Sequence, residues 1–157
     1  MASMLNENEV KEKIITLRSG NAKLAIIPEV GACITRYCLK TEEQVLEFMR
    51  PATQAGLAAA DPSGMGCFPL IPFSNRICNG RFSFQGRQIK MPPNFPPEIH
   101  TIHGHGWKVP WTVSEVQENR AMLAYQHFAD EWPFPYLSRL VFELNGSTLT
   151  VTLQITN

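Results

Sequence analysis

Along residues 149–155 apolar and polar side chains alternate one for one, with Leu149, Val151, Leu153 and Ile155 separated by Thr150, Thr152 and Gln154. A period of two puts alternate side chains on opposite faces of an extended chain, so the segment predicts a strand with one apolar face. Residues 137–144 form a second strand, and Asn145-Gly146 between the two is a strong hairpin signal. Three further pairs have the same build. Residues 13–17 and 22–27 meet across Ser19-Gly20-Asn21, 81–84 and 87–91 across Gln85-Gly86, and 111–116 and 121–128 across Gln117-Glu118-Asn119. Residues 32–39 and 45–48 add two more short strands. Helical periodicity is nearly absent, so the pattern reads as all-β. No repeat and no linker divides the chain, which predicts a single domain over 1–157. A strand with one apolar face needs an opposing sheet, so the expected architecture is a sandwich.

Three stretches break this pattern. Residues 51–66 read as a loop with a helical turn at the alanines. Residues 65–73 are apolar but contain Pro69 and Pro72, and proline cannot donate to a sheet ladder, so they form an edge strand or an irregular buried run. Residues 92–97 hold four prolines around Asn94 and Phe95; they are stiff and extended, and Phe95 is expected to pack over something. Residues 1–12 are polar, mixed in charge, and expected to be flexible.

Composition narrows the class of function. Apolar residues make up 44% and charged residues 18% of the 157, the balance of a globular chain. Lys+Arg and Asp+Glu are both 14, without basic runs, which argues against nucleic acid or an anionic membrane as partner. No stretch approaches the roughly 20 apolar residues of a membrane span, and no secretory signal is visible, so a cytoplasmic location is expected. Cys33, Cys38, Cys67 and Cys78 lack CxxC spacing and read as reduced thiols.

Chemistry concentrates in two irregular segments. In 72–81, Asn75 and Arg76 follow an apolar run. A guanidinium offers five donors in a rigid fork, suited to paired hydroxyl or carboxylate oxygens, although a salt-bridged arginine at a strand end has the same spacing. In 100–107, His100, His103 and His105 alternate with Gly104 and Gly106 ahead of Trp107. Their spacing fits neither a metalloprotease helix nor a zinc finger, so no metal is expected. A glycine loop that lets the backbone approach a ligand, with a His103 ring nitrogen offered to it, fits better. Trp107 and Trp111 then either present flat apolar surface to a sugar ring or belong to the core.

The run from Phe68 to Arg87, including Pro72-Phe73-Ser74-Asn75-Arg76-Ile77 and Gly80-Arg81-Phe82, resembles a signature of the aldose 1-epimerase (galactose mutarotase-like) family. Ile102-His103-Gly104-His105-Gly106-Trp107, with Trp111 close behind, resembles the family's histidine motif in its bacterial aldose 1-epimerase-like branch. Trp132 to Tyr136 and the strand ending at Thr156-Asn157 are similar to its approach to mid-chain. The resemblance implies a β-supersandwich, of which this chain is the N-terminal half. It also implies acid/base interconversion of the α and β anomers of a free aldose without a cofactor. Arg76 then holds sugar hydroxyls, His103 is a hydrogen-bonding ligand of the sugar, Asn75 shapes the loop, and Trp107 lies in the binding set. The family's general-acid histidine and base glutamate match no residue here and are expected beyond Asn157, so the chain alone is expected to be inactive. Two other readings keep the same residues. One is a non-catalytic sugar-binding module, and the other an interaction module whose exposed sheet pairs with a second copy as a homodimer.

Overall fold

Short glycine turns set the register from which everything else is built. The computed structural model describes residues 13–157; the flexibility expected of 1–12 lies outside them. Strands β1 (Ile15–Ser19), β2 (Ala22–Ile27), β3 (Cys33–Lys40) and β4 (Val45–Glu47) pair antiparallel in that order. A five-residue helix α1 (Gln54–Ala58) follows, its first turn capped by the Thr53 hydroxyl, which accepts from the Gly56 N–H at 3.0 Å. Next come β5 (Arg76–Ile77), the hairpin β6 (Arg81–Phe84) and β7 (Arg87–Lys90), and β8 (Thr101–Ile102), which pairs back with β5. The chain closes with β9 (Thr112–Val116), β10 (Arg120–His127), β11 (Tyr136–Asn145) and β12 (Thr148–Thr156), an antiparallel sheet in the order β12-β11-β10-β9.

The expected strands are all present, shifted at their ends by one or two residues. The hairpin turns differ in one instructive way. Gln85 and Gly86 both have positive φ, as a two-residue turn matched to strand twist requires. Between β11 and β12, however, Asn145 still pairs with Thr148, and the turn residues are Gly146-Ser147 rather than Asn145-Gly146. The reason is tertiary. The Gly146 N–H donates to the Ser19 hydroxyl at 2.9 Å and the Ser147 carbonyl accepts the Tyr37 phenol, so the turn is set by its hold on the first sheet.

The two four-stranded sheets face each other across one core. Leu17, Leu24 and Tyr37 lie in register across β1, β2 and β3, and Leu123, Leu140 and Leu153 across β10, β11 and β12. Leu17, Leu24, Leu123, Phe142 and Leu144 are buried to within 1%. Behind the first sheet, Met65 and the partly buried Leu57 pack on Ile27, Val30 and Cys33, which is what the 51–68 segment covers. Residues 65–73 are an irregular run with isolated bridges from Ile34 to Cys67 and from Ile71 to Gly104. The four cysteines are free. No helix among the described residues is long and apolar enough to cross a membrane.

The apolar row of β12 shares the inner face with Leu140 and Phe142, yet Val151, Leu153 and Ile155 remain 46%, 39% and 44% exposed. The second sheet therefore extends past its cover. Leu140→Ala should cost about 2–5 kcal/mol by transfer and cavity terms. Val151→Ala should cost under ~1 kcal/mol, because its side chain is half in water already. Urea midpoints of the two variants check this; equal losses would mean that β12 is packed after all.

Candidate functional site

Two loops meet at Ile71. This residue is fully buried, and its carbonyl accepts the N–H groups of His105 and Gly106, each at 3.2 Å. Such an approach needs glycine: a Cβ on Gly104, where φ is +64°, would sit 2.2 Å from the Ile71 carbonyl oxygen, and one on Gly106 would sit 2.1 Å from the Ile71 side chain. The loop is then pinned from behind. The Trp107 indole N–H donates to the Gly104 carbonyl at 3.1 Å and the Trp111 indole to Gly106 at 2.9 Å. Asn94 donates to the carbonyls of Ile102 and Gly104 at 2.7 and 2.6 Å and accepts from the Ile102 N–H at 2.8 Å.

This brings Asn75, Arg76 and His103 together. The pairing of Arg76 with Ile102 lets Asn75 and His103 bond reciprocally. The His103 N–H donates to the Asn75 carbonyl at 2.9 Å, and the Asn75 N–H donates to His103 Nδ1 at 2.9 Å. Both residues have positive φ, +64° and +56°, a conformation that asparagine tolerates better than most residues and that a surrounding structure must hold in place. Because an amide can only donate, Nδ1 must be unprotonated, which leaves the neutral ring with its proton on Nε2. Burial, and then the Arg76 charge, lower the His103 pKa from its ordinary value. Arg76 forms the salt bridge that its spacing allowed. Its Nε donates to Glu98 at 2.8 Å, and its side chain remains 51% exposed. The hydrogen bond from Arg76 holds the Glu98 carboxyl below the usual carboxylate range.

Trp107 corrects one expectation. It is 1% exposed, with Phe68 stacked at 5.2 Å, Phe95 at 5.7 Å and the Lys108 ammonium 4.6 Å from a ring centroid. No face is free for a sugar, so its part is to support the loop from beneath. Phe95 packs as the proline run suggested.

Against Gly104 and His105 of this loop lies a cavity of about 110 Å³, walled also by Phe73, Asp130, Glu131 and Trp132 among others. His105 Nε2 and the Tyr136 hydroxyl are 2.9 Å apart. His127, 3% exposed, lies with its ring 4.3 Å from that of His105, and its Nε2–H donates to the Trp132 carbonyl at 2.9 Å. Burial, then the His127 charge, lower the His105 pKa. Among the described residues no group of three or more His, Cys, Asp or Glu is placed to hold a metal ion.

Residues 13–157 match the aldose 1-epimerase family profile. The chain belongs to the aldose 1-epimerase family. It is 33% identical over 144 residues to YphB of Escherichia coli K12, an uncharacterized protein, covering 92% of this chain and 46% of that one. A crystal structure of a candidate aldose 1-epimerase from the same organism matches with a TM-score of 0.81 at 32% identity, again covering 92% and 46%. A GalM/aldose epimerase homologue from C. elegans, at 17% identity and a TM-score of 0.70 over 85% and 42% of the two chains, shares the fold. The expected all-β galactose mutarotase-like architecture is therefore present, and the chain spans about half the length of YphB.

Asn75, Arg76 and His103, expected in neighbouring motifs, lie beside one another, and His105 follows in the same loop, whereas Asn94, Glu98 and Asp130 were not expected there. Asn94 carried one readable signal: a lone amide among prolines, where only a side chain can bond neighbouring backbone. Asp130 carried a local one, since its side chain accepts from the backbone two positions on, and Glu98 carried none, since its partner is 22 residues away.

The two histidines give a stability signature. Both bind protons less readily folded than unfolded, so stability should be full above about pH 6.5 and fall as pH drops through that unfolded value toward their folded values. The urea midpoint at pH 5.5 should lie below that at pH 7.5, and His103→Gln with His105→Gln should narrow the gap. A wild-type midpoint that does not fall would contradict the assigned neutral rings.

Proposed function

We propose that this chain supplies the sugar-holding part of an aldose 1-epimerase. In this reading, Arg76 donates to sugar hydroxyls through the exposed part of its fork, and His103 donates its Nε2–H to a sugar oxygen. Asn75 sets the geometry of both. The observation that carries the proposal is the reciprocal Asn75–His103 hydrogen bond, because it fixes which histidine nitrogen bears the proton and sets that donor beside a half-exposed guanidinium. Polyhydroxy ligands are acceptors at every oxygen, and two neighbouring donors of fixed direction suit them.

The reaction proposed for the whole protein interconverts α and β anomers of a free aldose. A carboxylate base takes the C1 hydroxyl proton, a histidine acid protonates the ring oxygen, the ring opens, and it closes on the other face. No glutamate here matches the family's base by its motif, and Glu98 is committed to Arg76. The acid and base are therefore assigned to the part of the relatives' length that this chain does not span.

Calorimetric titration with D-galactose and D-glucose tests the binding step. Hydrogen bonds involving a charged group contribute about 1.5–3 kcal/mol, so Arg76→Ala should weaken binding by about 10- to 100-fold. His103→Ala should weaken it too. Polarimetry of freshly dissolved α-D-glucose should show no acceleration by this chain. Unchanged binding in both variants, or no heat with any aldose, would defeat the site assignment, and acceleration would defeat the placement of the acid and base.

A further inference from the structure

We propose that the cavity beside the His103–Gly106 loop is a second sugar-contacting surface, in which Trp132 is the plate under the ring, Asp130 and Glu131 accept its hydroxyls, and their charge turns away phosphorylated sugars. This rests on the aldose-binding reading above and extends it to the substrate's class.

Its position comes first. The cavity is built on the same two loops as Arg76 and His103: Phe73 lies two residues before Asn75, and Gly104-His105 directly follow His103.

The second argument is the plate. A pyranose needs a flat apolar partner for its C–H face. Trp107 and Trp111 are 1% and 3% exposed and have both indole N–H groups bonded to the loop, so neither can serve. Trp132 is only partly buried and lines the cavity. It is held rigidly there. Its N–H donates to Asp130 Oδ1 at 2.8 Å, its carbonyl accepts from His127, and its ring packs on Phe73 at 5.6 Å and Phe82 at 5.8 Å. A buried histidine whose bond to the Trp132 carbonyl fixes the backbone under an accessible tryptophan is a built support.

The third argument is charge. Two carboxylates line the cavity, and among the described residues no lysine or arginine does. Carboxylates accept strong hydrogen bonds from neutral hydroxyls. They repel phosphate and carboxylate substituents instead. His105 adds a polar atom without charge: its Nε2 faces Tyr136, burial favours the neutral ring, and Nδ1 is left for a ligand.

The test is an NMR titration of the chain, following backbone signals and the three indole N–H signals, with D-galactose, D-glucose and D-glucose 6-phosphate. Neutral sugars should shift the Trp132 indole and the His105 amide together with Asn75 and His103. D-Glucose 6-phosphate should bind at least about tenfold more weakly than D-glucose, as like charges at short range require. The paired change Asp130→Asn and Glu131→Gln keeps the Trp132 N–H acceptor, and should bring the two glucose affinities to within about threefold. If neutral sugars move Asn75 and His103 while Trp132 and His105 stay still, the cavity assignment fails and the aldose-binding reading stands. If D-glucose 6-phosphate binds as tightly as D-glucose in the unaltered chain, or the paired change leaves the discrimination intact, the charge argument fails. If no sugar moves any of these signals, both readings fail together.

Discussion

The site depends on how closely the His103–Gly106 loop can approach Ile71. One buried carbonyl takes two N–H donors from that loop, and the contact exists only because residues 104 and 106 have no Cβ. Everything polar at the site follows from this docking. It sets β8 against β5, that pairing places Asn75 opposite His103, and the reciprocal bond between them fixes a tautomer. A methyl group at either glycine would displace the loop by more than the distances over which hydrogen bonds hold their direction.

The rest of the chain keeps that docking in place. Two indoles and one amide bond the loop's carbonyls, so the irregular backbone is satisfied without regular structure. The Trp111 N–H donates to the Pro28 carbonyl at 3.0 Å, and the Gly31 N–H donates to Val109 at 3.1 Å, which ties the segment after the loop to the β2–β3 turn. The sandwich thus reaches the site through backbone hydrogen bonds at its rim, while its own cohesion comes from Leu17, Leu24, Leu123 and Phe142. The two indoles that hold the loop are buried, whereas Asn75 and Arg76 stand at the surface.

How much of this the sequence disclosed follows from the range of each interaction. Strand alternation and two-residue turns are local, and every strand expected from them is present. The turn after β11 slipped by one residue because Ser19 and Tyr37, more than 100 positions away, hold it. Asn75, Arg76 and His103 were legible as a group because the order of their motifs resembles a family, whereas their spacing alone left bland alternatives open. Trp107 was misread for a physical reason: an aromatic residue beside glycines and histidines suits a sugar plate and a loop anchor equally, and only burial separates the two. The partners of His105 come from β10 and β11, so nothing near it in sequence announced them.

The state of His103 also decides what it can do. A general acid needs a proton to give, with a pKa near the working pH. Here burial and Arg76 push the pKa down, and protonating Nδ1 would set two donors, the ring and the Asn75 amide, against each other. The ring therefore stays neutral and keeps its one N–H at Nε2. That suits holding an oxygen and is a poor arrangement for transferring a proton. Arg76, charged throughout and steadied by Glu98, has no proton to exchange either. A pair so arranged suits the proposed role of orienting a sugar while other groups move its protons.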